Sequence, residues 1–71
     1  MRSSTQIMIA RANLAAAKGR TVLAWVRSMP RPFPVDRIEA SDGLLLTLVM
    51  QRRELVIATD DLGAVEIREQ N

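Results

Sequence analysis

The chain reads as an α+β domain of about three helices followed by a two-stranded β-hairpin. Three observations predict that class. Apolar residues recur at helical spacing from Gln6 to Met29, three prolines interrupt the chain between residues 30 and 34, and two alternating segments near the end flank an Asp-Asp-Leu-Gly turn. At 71 residues there is room for one domain, 1–71, with residues 1–5 and 69–71 expected to fray. Hydrophobic residues make up 48% of the sequence, enough to argue against disorder. Cysteine and histidine are both absent, which excludes a disulfide scaffold, a thiol nucleophile, a zinc finger and imidazole acid–base chemistry.

The elements follow in order. Ser3 and Gln6 have the spacing of a capping box, and Ile7, Ala10, Leu14 and Ala17 place a helix over Gln6–Lys18 that Gly19 can end. Val22, Trp25, Val26 and Met29 form a stripe that predicts a second helix over Thr21–Met29, with Trp25 and Phe33 as core anchors. Pro30, Pro32 and Pro34 force an extended link. Val35–Ser41 is expected to be a short helix, ended by Asp42-Gly43. Leu44–Glu54 fits two descriptions. Helix is the expectation adopted; the alternative is a central strand, because both alternating faces are largely apolar. Leu55–Thr59 and Ala64–Arg68 then pair as the hairpin.

This order of elements, carried by Arg20–Met29, Pro34–Ala40, Gln51–Ile57 and Ala58–Ile67, resembles a winged helix-turn-helix DNA-binding domain. The resemblance implies a recognition helix at Leu44–Glu54, a wing at residues 55–68 and duplex DNA as the partner. It also implies a small transcription regulator acting as a homodimer, without a cofactor.

Charge gives the DNA reading partial support. Residues 1–34 hold six cations and no acid, whereas residues 35–71 hold four arginines and eight acids. A basic half can meet a phosphate backbone, or the acidic half of a second copy. The candidate base contacts are Thr47 and Gln51; the candidate phosphate contacts are Arg52, Arg53, Arg37, Arg20 and Lys18. Leu46 and Met50 lie far round a helix from Leu44 and Leu48, which makes them candidate interface residues. The acids Asp60, Asp61, Glu66 and Glu69 on the proposed wing support an alternative function, a protein-binding adaptor or inhibitor without DNA contact.

Enzyme chemistry finds no constellation. Asp60 and Asp61 read as turn formers, and no calcium-loop spacing, phosphate-binding glycine motif or nucleophile–base set is present. The expectation is a non-enzyme with no metal. The apolar runs are far too short to span a membrane, and Arg11 and Asn13 interrupt the stretch that would have to serve as a secretory core. A cytoplasmic protein is expected.

Overall fold

The computed structural model describes residues 3–69. Helix α1 spans Ser4–Ala17, followed by strands β1 (Thr21–Val26), β2 (Phe33–Pro34), β3 (Arg37–Ser41), β4 (Leu45–Val49) and β5 (Glu54–Ala58). A 3-10 turn at Thr59–Asp61 leads into the last strand, β6 (Leu62–Arg68). The strands form two antiparallel three-stranded sheets, ordered β2-β1-β6 and β3-β4-β5. The three-helix-plus-hairpin class is therefore corrected to one helix and six strands, and the winged arrangement does not form.

Helix α1 follows the local rules. The Ser3 hydroxyl accepts from the Gln6 amide at 3.1 Å, and the Gln6 side chain accepts from the Ser3 amide at 2.9 Å, completing the capping box. Ser4 and Thr5, placed in a fraying end by the sequence, belong to this capped first turn. At the other end the Gly19 amide donates to Ala16 and the Arg20 amide to Ala15, with Gly19 at φ +83°. That is a Schellman closure, and it needs the left-handed backbone that glycine adopts without strain.

The second expected helix fails because its stripe satisfies two periods. Val22 and Val26 are four apart, but with Ala24 they also alternate, and the buried residues of β1 are Val22, Ala24 and Val26. Two valines, a threonine and a tryptophan in six residues favour the pleated alternative. Trp25 therefore points outward, 39% exposed, and is no core anchor, while Phe33 is half-buried. Val35–Ser41 is likewise not a helix; Arg37–Ser41 of it is strand β3.

Leu44–Glu54 takes the strand alternative, so there is no recognition helix. Strand β4 lies in the middle of its sheet, with Leu46 and Leu48 facing the core and Leu45, Thr47 and Val49 on the other side. The expected hairpin is corrected too. Both of its strands exist, but β5 pairs with β4 and β6 pairs with β1.

The two sheets share one bent segment. The Val35 amide donates to Val22 of β1 at 3.0 Å, and the next amide, Asp36, donates to Val49 at the end of β4 at 2.7 Å. Successive amides of an extended chain point to opposite sides, so β2 and β3 act as one strand that changes partner at this step. Pro34 suits the bend, because alternation would aim its missing N–H away from β1. Beyond the bend the β1-facing side of β3 has no strand partner. Asn13 of α1 fills the gap: its amide nitrogen donates to the Ile38 carbonyl at 2.9 Å, and its amide oxygen accepts from the Ile38 N–H at 2.8 Å.

Ala12 and Ala15 let α1 settle closely onto a core of Val22, Ala24, Val26, Val35, Ile38, Leu46, Leu48, Ile57 and Leu62. Both sheets and the helix contribute to this single cluster. No described helix is long and apolar enough to cross a membrane.

Asn13→Ala removes two part-buried hydrogen bonds and leaves the Ile38 main chain without a partner. Urea unfolding should show a loss of about 2 kcal/mol with the denaturant slope unchanged. Asn13→Asp should recover only part of this, since it keeps an acceptor and loses the donor. An Asn13→Ala protein as stable as wild type would contradict the bridging role.

Candidate nucleic-acid interface

Strand register places the functional side chains. Thr21 pairs with Arg68, Arg37 with Val49 and Val49 with Glu54, so the starts of β1, β3 and β5 meet the ends of β4 and β6 at one end of the molecule. The closure of α1 delivers Lys18 and Arg20 to that end, and the β4–β5 turn delivers Gln51, Arg52 and Arg53. The Met50 amide donates to the Arg53 carbonyl at 2.9 Å, which holds this turn shut. Asp42, Asp60 and Asp61 lie at the other end, where the Thr59 hydroxyl donates to the Gly43 carbonyl at 3.0 Å.

A cleft of about 550 Å³ opens between the helix end, the β2–β3 bend and the β4–β5 turn. Arg20, Arg52 and Arg53 supply its cations, Gln51 a neutral donor and acceptor, and Asp36 its one acid. Its walls include the apolar Val22, Val35 and Met50. The Arg53 guanidinium sits over the Phe33 ring, 5.6 Å from the ring centre. That stacking orients a planar cation on a protein surface. Gly19 lies at the rim, and a Cβ there would meet nothing within 4 Å, so glycine serves the backbone turn and not a close approach. Arg20 also borders a second groove with Arg11 and Lys18, which continues the basic surface along α1.

The candidate residues divide clearly. Arg20, Gln51, Arg52 and Arg53 converge on the cleft, with Lys18 in the adjoining groove. Arg37 is engaged by Glu39 at 3.0 Å, and Thr47 lies apart from the cleft, on the outward side of β4 between Glu39 and Val56. Leu46 is 1% exposed and belongs to the core; Met50 is half-buried and lines the cleft. Phe33 and Asp36 were not among the sequence candidates. The pairing of β2 with β1 and the Asp36–Val49 bond to β4 place them beside the arginines, so no local signal marks them.

Arg68 shares the basic end but is held by Glu66 at 2.6 Å. The hydrogen bond from Arg68 holds the Glu66 carboxyl below its usual range, against a partial desolvation that raises it; the Arg68 charge and a hydrogen bond from Trp25 lower it further. Lys18, Arg20, Arg52 and Arg53 make no salt bridge among the described residues. With Arg11 of the adjoining groove, they are the cations on this side of the molecule open to a ligand.

Asp61 builds structure, and Asp60 lies exposed in the same 3-10 turn. The Ser28 hydroxyl donates to the Asp61 carboxylate at 2.7 Å, and the Arg27 amide donates to the Asp61 carbonyl at 2.7 Å. Among the described residues no group of three or more metal-binding side chains comes together. Comparison of the chain with family models, curated proteins and solved structures gave no match.

The Glu66–Arg68 pair has a defined pH dependence. Glu66 has a lowered folded-state pKa, so its contribution is present above the ordinary carboxylate value and lost as pH falls through the lowered one. Arg68→Ala should move the Glu66 titration, followed by carboxyl NMR shifts, up toward the ordinary value. No movement would show that Arg68 does not set it.

Proposed function

We propose that the protein binds nucleic acid, through the cleft between the end of α1 and the β4–β5 turn, as a small cytoplasmic regulator that occupies its target strand. The observation that carries this reading is the convergence of Arg20, Arg52 and Arg53, none in a salt bridge among the described residues, around one cleft with an arginine stacked on an aromatic ring. Lys18 and Arg11 extend the positive surface in the adjoining groove.

The geometry favours a single strand over a duplex. Duplex readout places a helix or β-ribbon in the major groove, and the one described helix turns Ile7, Arg11 and Leu14 outward, with few groups that read base edges. A single strand needs a basic track and flat surfaces for its bases, and guanidinium planes serve as such surfaces. Arg53 over Phe33 supplies the flat surface, Arg20 and Arg52 the track, and Gln51 hydrogen bonding to a base edge. Asp36 repels phosphate locally, which disfavours a backbone path along the β2–β3 bend. This reading keeps the nucleic-acid expectation and drops the helix-in-groove mechanism.

Fluorescence anisotropy with a short labelled single strand, and with the same sequence as duplex, tests it at several salt concentrations. Tighter binding to the single strand is expected, weakening as salt rises. Arg20→Ala and Arg53→Ala should each lower the slope of log affinity on log salt by about 0.7. Phe33→Ala should weaken binding by about 1 kcal/mol with the slope nearly unchanged. Absence of binding at low salt, or slopes untouched by both arginine variants, would refute the assignment.

A further inference from the structure

Strand β5 is an edge. It pairs with β4 on one side, and among the described residues no strand pairs with its other side. The hydrogen-bonding phase shows which groups are left open. The Thr59 amide donates to Leu44 and the Met50 amide to Arg53, so the bonded pairs along β4 and β5 are 44 with 59 and 50 with 53, and by alternation 46 with 57 and 48 with 55. Glu54, Val56 and Ala58 therefore aim their N–H and C=O groups at the open side. Exposed edges of this kind are usually blunted by lysine, proline, a bulge or a covering element. Strand β5 has no lysine, proline or irregularity, and Val56 on it is 57% exposed.

We propose that β5 pairs with β5 of a second copy, antiparallel and centred on Val56, to give a two-fold symmetric dimer with a continuous six-stranded sheet. Three features select this partner and this register. The three open residues are symmetric about Val56, so Val56 meets the partner's Val56 and Glu54 meets the partner's Ala58, each pair exchanging two main-chain hydrogen bonds. The charges flanking the strand are antisymmetric about the same point: the turn before β5 carries Arg52 and the 3-10 turn after it carries Asp60, so the two-fold brings each Arg52 to the end of the interface that holds the partner's Asp60. Arg52 and Asp60 are exposed, and neither makes a salt bridge among the described residues. A register centred on Glu54 would instead bring two carboxylates together. The pairing is thus complementary to itself, as a two-fold interface requires.

The other edge, β6, is a poorer match for β5. Its register with β1 shifts between Trp25 and Val26, its edge carries the Glu66–Arg68 ion pair, and α1 packs against it. The proposed dimer claims Arg52, one of the two cations of the track, and leaves Arg20 and Arg53 to the cleft; sedimentation without nucleic acid tests it apart from the nucleic-acid reading.

Sedimentation at micromolar concentration tests it directly. The wild-type chain should sediment as a dimer. Val56→Pro removes an N–H that makes no bond among the described residues, so it should give a monomer with an unchanged circular dichroism spectrum. Arg52→Asp and Asp60→Arg should each weaken the dimer at least tenfold, and the double variant should restore it. A wild-type monomer, an assembly larger than a dimer, a Val56→Pro protein that remains dimeric, or a folded double variant that remains monomeric would each overturn the proposal.

Discussion

Everything in this fold turns on the step from Val35 to Asp36. Two consecutive amides donate to different strands, so one segment belongs to both sheets. That step bends the sheet and gives two half-sheets a common core. It also leaves the β1-facing side of Ile38 without a strand. An asparagine side chain carries one donor and one acceptor and can replace the missing partner. Asn13 does so from α1, and the helix is thereby fixed in depth and direction across the opening. Alanines at positions 12 and 15 make the close approach possible.

The same bend creates the site. Where the sheets part, the helix end, the β2–β3 segment and the β4–β5 turn surround open space, and arginines project from two of these three borders. The fold brings together Arg20 and Arg53, which lie more than thirty residues apart in the chain. It also puts Asp42, Asp60 and Asp61 at the end remote from the cleft, with Arg27 beside Asp61 there and Asp36 as the acid of the cleft. An anionic strand approaching such a molecule meets an oriented field before any contact forms.

Local chemistry made α1 legible, because a capping box and a terminal glycine act within a few residues. Strands β1 and β4 were not, for two different reasons. Val22 and Val26 fit a helical and a pleated period equally, and what decides between them is the arrival of β6 on one side and β2 on the other. Leu44–Met50 is apolar on both faces because β4 is a central strand, the alternative the residues also allowed. Asp42-Gly43, which also fits a helix end, is the turn of the β3–β4 hairpin. Asp42 accepts from the Leu44 amide at 3.2 Å, and Gly43 takes φ +86°. The basic residues were legible as candidates. Their convergence, and the partnership of Arg53 with Phe33, depended on strand pairing that no local pattern encodes.

Nucleic acid is proposed to bind in the opening beside the bend. Backbone amide shifts of the labelled protein, followed as a short single-stranded oligonucleotide is added, test that claim residue by residue. Perturbations should concentrate at Lys18–Val22, Val35–Asp36 and Met50–Arg53, with Phe33 included and the Asp60–Asp61 end unchanged. Shifts centred on that acidic end or on the Arg27–Arg31 loop, with the cleft residues unmoved, would contradict it.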